Sequence, residues 1–252
     1  GRSQKAPFIP LSSNVGRRTL GPVMVVQVHP GEPMSKEIVG FDTETELFRP
    51  GLRVPRPIVY SVSTAKGEAL LFPDRPRQGT PSGFDLVGKL LTNPNVIISG
   101  ANLAFDVCVD VEGIRRIHGD EAALERLKFW VAKYDAGNVH DVSIAEQLHA
   151  IANGHLGKDP KTRQDLRTPA GKPTYYSLEC VTYLNTGSWD AKANDYFRKR
   201  YAILEHVPLD KWPVEARQYP LDDARNTRAV TLAQSAHDNA GVQVLEARAG
   251  LW

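Results

Sequence analysis

Two acidic residues separated by one position mark the end of the first predicted strand. Asp42 and Glu44 directly follow a short apolar segment at 37–41. Alternate residues of a strand face the same side, so we expect both carboxylates to point the same way. Two like charges this close are costly unless a cation neutralises them, and Mg²⁺ or Mn²⁺ prefers such oxygen ligands. Taken alone, an Asp-x-Glu pair is more often a solvated strand end.

Two further motifs place an acidic residue one helical turn after a polar or aromatic residue. Asn102 and Asp106 follow the fourth predicted strand, and Tyr219 and Asp223 lie at the start of the last predicted helix. Residues four apart share one face of a helix. Asp222 points about 100° away from Asp223, so only one of them can share the face of Tyr219. Taken singly, each motif is more typical of a helix start, with Asn102 as N-cap and early acids favoured by the helix dipole.

The elements that must position these motifs follow from the apolar pattern. Short segments rich in β-branched residues predict five strands, at 37–41, 58–62, 69–72, 95–99 and 138–142. Helical spacing predicts helices at 84–91, 102–117, 121–133, 144–151, 176–184 and 194–203. It also predicts helical structure from 214 onward, with a long last helix from about 220 to 239. Strands first and helices later indicate an α/β sandwich with a mixed sheet. If the fourth strand pairs with the first, the second motif faces Asp42.

Composition excludes several classes of protein. The 252 residues carry a net charge of +2 and 41% are hydrophobic, which is typical of a globular protein and too balanced to indicate a nucleic-acid binder by itself. Apolar runs are far shorter than a membrane span, and the sequence has neither a CxxC zinc motif nor a Gly-rich phosphate loop. With two distant cysteines, Cys108 and Cys180, and no signal peptide, we expect an intracellular, cytoplasmic protein with both thiols buried.

The chain divides into an arm and a body. Residues 1–35 contain five prolines and predict an irregular N-terminal arm, with a short edge strand at 23–28. Its first three residues resemble the remnant of an expression tag. The body, residues 36–252, is predicted to form one domain.

Together, the three motifs occur in an order that resembles the DEDD superfamily of 3′→5′ exonucleases, in the branch with tyrosine in the third motif. The matching text is Phe41-Asp42-Thr43-Glu44-Thr45, Gly100-Ala101-Asn102-Leu103-Ala104-Phe105-Asp106 and Tyr219-Pro220-Leu221-Asp222-Asp223. Weaker similarities to the proofreading domains of family A DNA polymerases and to ribonuclease D lie at His140-Asp141, Tyr176-Ser177-Leu178-Glu179 and Leu209-Asp210-Lys211-Trp212. The first motif, followed by Arg49-Pro50-Gly51, is most similar to the exonuclease part of phage family A polymerases. The resemblance extends from residue 36 to about residue 239.

The resemblance implies a ribonuclease H-like fold with a five-stranded mixed sheet flanked by helices. It implies that two divalent metal ions, Mg²⁺ or Mn²⁺ and about 3.5–4 Å apart, are held by four carboxylates: Asp42, Glu44, Asp106 and Asp223. Asp42 would bridge both ions, Glu44 and Asp223 would hold the ion that binds the attacking water, and Asp106 would hold the other. Tyr219 would orient that water, and the products would be nucleoside 5′-monophosphates.

Two features depart from the family pattern. Pro220 follows Tyr219 directly, and because a residue before proline avoids the helical region, we expect Tyr219 at a helix cap or a kink. The interval between the second and third motifs is long and includes a basic loop at 154–173. This loop could bind a phosphate backbone or be a solvated surface loop, and the sequence favours neither.

Several residues are predicted to contact the substrate: Thr43, Leu47, Phe48, Asn102, Phe105, Lys158, Lys161, Arg163 and Arg167. For Leu47 and Phe48, which would wedge against a terminal base, core packing is an equal alternative, and Phe105 is more typical of core. A second basic stretch at 197–201 has flanking aromatic residues and could stack bases and hold phosphates. It is more typical of a helix with its aromatic residues inside and its charges in water. Asp110, one turn beyond Asp106, is expected at the surface.

These inferences predict a metal-dependent 3′→5′ exonuclease acting on single-stranded or frayed DNA ends. The expected partner is a DNA polymerase that it proofreads, either in the same polypeptide or as a separate subunit, in the setting of a phage protein acting in a bacterial host. One alternative is an RNA-trimming exonuclease of the ribonuclease D type, since the carboxylates would do the same chemistry. Another is a non-catalytic nucleic-acid-binding module on the same fold.

Overall fold

Five strands form one mixed sheet, as the sequence predicted, and their order is β3-β2-β1-β4-β5. The computed structural model describes residues 36–76, 80–189 and 196–236, so the predicted arm and its strand lie outside the described residues. The strands are β1 (Glu37–Thr45), β2 (Pro57–Thr64), β3 (Gly67–Leu71), β4 (Val96–Gly100) and β5 (Val139–Asp141). β1 pairs antiparallel with β2 and parallel with β4, which brings the second motif next to the first.

Helices cover both faces of this sheet. They are α1 (Gly83–Thr92), α2 (Leu103–Asp135), α3 (Val142–Ala152), α4 (Leu178–Thr186) and α5 (Val214–Ser235), with short 3₁₀ helices at Tyr201–Leu204 and Leu209–Lys211. The two helices predicted at 102–117 and 121–133 are joined into α2 and meet at Gly119, whose φ of 87° interrupts the helical backbone. None of the described helices is both long and apolar enough to cross a lipid bilayer.

The helix predicted at 194–203 is wrong over the part that the structure describes. Residues 196–200 form turns, and the 3₁₀ helix follows. In this region backbone amides donate to carbonyls three residues back, from Arg200 to Phe197 and from Ile203 to Arg200. A 3₁₀ segment repeats its inward residues at nearly the same spacing as an α-helix, which is why the apolar pattern did not separate the two.

Alternate residues of β1 contact different layers. Val39 and Phe41 pack in an apolar cluster with residues of α1 and α2. Gly40 faces α5, where a Cβ built on it would lie 1.9 Å from the carbonyl oxygen of Ala224. Farther along α5, the hydroxyl of Thr231 hydrogen-bonds that of Ser99 on β4. The long last helix therefore lies directly on the central strands, which fixes Asp223 beside the end of β1.

Two residues lie elsewhere than the sequence predicted. Asp110 is fully buried instead of exposed, and it accepts hydrogen bonds from the Tyr60 hydroxyl at 3.1 Å and the Trp130 indole at 2.8 Å. Trp130 belongs to the second half of α2, which the break at Gly119 folds back over the first half. Cys108 is exposed, whereas Cys180 is buried as expected.

The contact between Gly40 and α5 generates a testable prediction. We expect Gly40→Ala to lower the free energy of unfolding by about 2 kcal/mol or more, because the new methyl group forces β1 and α5 apart. Gly88→Ala is the matched control: it lies in α1, and the nearest atom to its added methyl group is 3.6 Å away. We expect the control to be neutral or to stabilise by about 0.5–1 kcal/mol in urea unfolding. Equal effects of the two substitutions would contradict this packing account.

Candidate active site

Three carboxylates converge at the end of β1. Asp42 and Glu44 point toward α5, from which Asp223 reaches them, and one carboxylate oxygen of each lies within 4.8 Å of the others. The side chains of Glu44 and Asp223 are each only 7% exposed. Like charges so close in a partly buried position repel one another strongly. A hard divalent cation, which prefers carboxylate oxygens, fits this donor set.

Asp106 approaches the same end of the strand from the opposite face. Thr43, between the two acidic residues of β1, points toward α2, and its backbone N–H and hydroxyl donate to Asp106 Oδ1 at 3.1 and 2.6 Å. Burial raises the pKa of the Asp106 carboxyl to about 7, the Thr43 hydrogen bonds act in the opposite direction, and the charge of Asp141 adds to the rise. Asp106 is therefore held rigidly next to the three-carboxylate group without being part of it.

Asp141, at the end of β5, joins the starts of two helices. One of its oxygens accepts the N–H of Leu103 at 2.8 Å, and the other accepts those of Ser143 and Ile144. Asn102 occupies the N-cap position of α2 as predicted, but its side chain makes no capping hydrogen bond, and its backbone is left-handed with φ 58°. Asp141 takes the amide of the first turn instead. Asp141 belongs to one of the weaker family similarities in the sequence, but no role was predicted for it.

Tyr219 lies inside α5, directly before an internal proline, so of its two expected positions, a helix cap or a kink, the cap is wrong. The helix begins at Val214, and Pro220 sits within its second turn. Proline has no N–H, so the carbonyl of Ala216 loses its helical donor. The buried hydroxyl of Tyr201 donates to that carbonyl at 3.0 Å instead. This hydrogen bond lets the helix tolerate Pro220 without leaving a buried acceptor unpaired.

These side chains line one cleft of about 520 Å³. Tyr219, Thr43, Asn102 and Phe105 line it, together with six carboxyl side chains: Asp42, Glu44, Asp106, Asp141, Glu179 and Asp223. Asp222, by contrast, accepts hydrogen bonds from Gln218 and Arg225 on the outer side of α5. The cleft thus gathers all five residues of the three sequence motifs that were predicted to be catalytic, and their catalytic role stays a prediction.

The aromatic residues predicted to contact substrate meet at the rim of this cleft. The ring of Phe48 packs against that of Phe105, with centroids 6.0 Å apart. Leu47 and Phe48 are 53% and 60% exposed, so they are not core residues. Buried Glu46 holds their loop by accepting the backbone N–H of Arg56 at 3.1 Å. Apolar surface is therefore exposed next to the acidic cleft.

The basic loop at 154–173 lies behind one wall of the cleft. Leu166 packs in an apolar cluster with Tyr176, and the hydroxyl of Tyr176 accepts the N–H of Gly157 at 2.9 Å. The four basic residues predicted to bind substrate from this loop are exposed, and none lines the cleft: Lys158, Lys161, Arg163 and Arg167. Their contact with substrate stays a prediction.

The residues of the second basic stretch, 197–201, lie in different environments. Phe197 packs inward as expected, and Lys199 and Arg200 are exposed. The guanidinium of Arg200 lies 4.1 Å from the ring centroid of Tyr196. Arg198 is exposed as well, as expected, and it also lines the cleft.

Comparison with a solved structure assigns the fold. The EXO domain of Nibbler from Aedes aegypti superposes with a TM-score of 0.51, at 11% sequence identity, over 80% of each chain. The chain has a ribonuclease H-like α/β fold. Comparisons with protein-family models and with curated proteins give no match. At this identity the structural similarity shows a shared fold, and the activity must be argued from the site.

The hydrogen bond between Tyr201 and Ala216 generates a second prediction. We expect Tyr201→Phe to lower the free energy of unfolding by about 1–2 kcal/mol, because it leaves a buried carbonyl without a donor. In a Pro220→Ala background, the restored N–H of residue 220 can donate to that carbonyl, so the loss should shrink by at least about 0.5 kcal/mol. Urea unfolding of the two single variants and the double variant measures this coupling. The same loss in both backgrounds would refute the compensation.

Proposed function

We propose that this protein is a metal-dependent 3′→5′ exonuclease that hydrolyses single-stranded or frayed DNA ends to nucleoside 5′-monophosphates. One observation carries the proposal. Four carboxylates and a tyrosine from three separated motifs meet in a single cleft at the end of β1. The ribonuclease H-like fold, shared with an EXO domain, supports it.

The carboxylates divide between two divalent cations in this proposal. Asp42, Glu44 and Asp223 would hold one, and Asp106 with Asp42 would hold the other. Bound ions of this kind lower the pKa of a water and stabilise charge on a phosphate. Thr43 contributes by fixing the orientation of Asp106, through hydrogen bonds of the type that orients metal ligands in other proteins.

The remaining lining residues would position the strand. The hydroxyl of Tyr219 can both donate and accept, so it can orient a water beside the carboxylates. Phe105, supported by Phe48, offers an aromatic surface on which a terminal base can stack. The basic residues of the loop at 154–173 would contact phosphates farther along the strand.

We propose the same biological setting as the sequence indicated. The enzyme would proofread for an intracellular DNA polymerase, in the same polypeptide or as a partner, in a phage-infected bacterial cell. RNA trimming uses the same chemistry, and the substrate test below separates the two, because an RNA-specific site must tolerate a 2′-hydroxyl.

Digestion of a 5′-labelled single-stranded DNA beside a matched RNA tests the proposal. We expect a ladder that shortens from the 3′ end with Mg²⁺ or Mn²⁺ and disappears with EDTA. Asp42→Asn should lower the rate by at least about 100-fold. Losing a group that only orients a metal ligand already costs up to about 100-fold, and Asp42 is proposed to bind the metal directly. Asp222→Asn is the matched control, since this carboxylate lies outside the cleft, and it should retain activity within about 2-fold.

Two outcomes would contradict the proposal. If Asp42→Asn and Asp222→Asn shortened DNA equally fast, the activity would not belong to this cleft. If the folded protein bound DNA but shortened neither strand in either metal, it would be a binding module. Faster shortening of RNA than of DNA would overturn the DNA assignment and leave the exonuclease proposal standing.

A further inference from the structure

Acidic side chains greatly outnumber basic ones in the cleft. Among the described residues that line it, six have carboxyl side chains, and Arg198 is the one Lys or Arg. A nucleic-acid strand carries a negative charge at every phosphate, so carboxylates that are not neutralised by cations repel it. A guanidinium in this position offers the opposite charge where the strand must pass.

The segment that carries Arg198 is fixed on both sides of that residue. Phe197 packs in the same apolar cluster as Tyr219. Three residues farther on, buried Tyr201 donates to the carbonyl of Ala216, the acceptor that Pro220 leaves unpaired. The exposed guanidinium therefore extends from a backbone that is anchored to α5.

This anchor lies beside the carboxylate group itself. Burial raises the pKa of the Tyr201 hydroxyl, and the charges of Glu44, Asp42 and Asp223 add to that rise. The anchoring hydroxyl is thus within electrostatic reach of the proposed metal ligands. The segment that carries Arg198 therefore packs with the part of α5 that contains Tyr219.

We propose that Arg198 is a substrate-binding residue whose guanidinium contacts a phosphate of the strand in the cleft. The inference rests on the proposed function, because it names a further contact in the same site. The planar guanidinium presents two parallel N–H donors that match two phosphate oxygens, whereas a lysine ammonium acts as a point charge. The chemistry requires a phosphodiester and no particular base.

A binding measurement without turnover tests this. The probe is a fluorescently labelled thymidine hexanucleotide, titrated in Ca²⁺ with wild type and three variants. We expect Arg198→Ala to weaken binding by about 10- to 100-fold, the effect of losing a charge-assisted pair of hydrogen bonds. Arg198→Lys should bind with intermediate affinity. Lys199→Ala, the matched control, removes an adjacent exposed charge outside the cleft and should change affinity by less than about 3-fold.

Salt dependence separates a phosphate contact from a structural effect. For a single strand, each phosphate contact contributes about 0.7 to the slope of log affinity against log salt concentration. We expect Arg198→Ala to make the slope shallower by about that amount, and Arg198→Lys to keep the slope despite its lower affinity. An unchanged slope in Arg198→Ala, or equal losses of affinity in Arg198→Ala and Lys199→Ala, would overturn the proposal.

Measuring Mn²⁺ affinity shows whether Arg198 acts on the carboxylates rather than on the DNA. If Arg198 served only to hold them in place, Arg198→Ala would weaken Mn²⁺ binding and leave DNA binding unchanged, and that result would also overturn the proposal. Because the titration needs no cleavage, the two proposals fail separately. Arg198-dependent DNA binding without 3′ shortening would overturn the exonuclease alone, whereas 3′ shortening with unaltered binding by Arg198→Ala would overturn only the Arg198 contact.

Discussion

Repulsion among three carboxylates is the constraint on which the rest of this structure depends. Asp42, Glu44 and Asp223 place oxygens within 4.8 Å of one another in a partly buried position, an arrangement that two flexible segments would relax by moving apart. They are kept together because α5 lies in direct contact with β1 at Gly40, where no side chain larger than hydrogen fits. The fold thus imposes a concentration of negative charge, and a bound divalent cation would relieve it.

On the opposite face of the same strand, buried carboxylates are stabilised by hydrogen bonds. Asp106 is buried and carries two hydrogen bonds from Thr43, while Asp141 accepts hydrogen bonds from backbone amides at the starts of α2 and α3. On the α5 side, Pro220 removes a helical hydrogen bond and Tyr201 replaces it. That replacement ties the segment containing Arg198 to α5. Pro220 is therefore linked, through the Tyr201 hydrogen bond, to the segment that carries the arginine of the cleft.

Much of this arrangement could be predicted from the sequence, because local patterns determine it. The period-2 position of Asp42 and Glu44 and the helical spacing of Tyr219 and Asp223 fix which side chains share a face. The apolar segments gave all five strands. Burial of Asp110 could not be predicted, because it depends on the break at Gly119 and on distant Trp130 and Tyr60. The sequence allowed a phosphate contact somewhere in the stretch 197–201 but did not single out Arg198, because its position in the cleft depends on tertiary contacts of Phe197 and Tyr201 with distant parts of the chain.

Counting bound Mn²⁺ by electron paramagnetic resonance tests the central claim most directly, namely that the converging carboxylates form a cation site. The metal-free protein is titrated beside a double variant, Asp42→Asn with Glu44→Gln, whose folding is checked by circular dichroism. The account predicts two bound Mn²⁺ per wild-type chain and loss of both in the double variant. Equal Mn²⁺ binding by the two proteins, or none by the folded wild type at millimolar Mn²⁺, would contradict it.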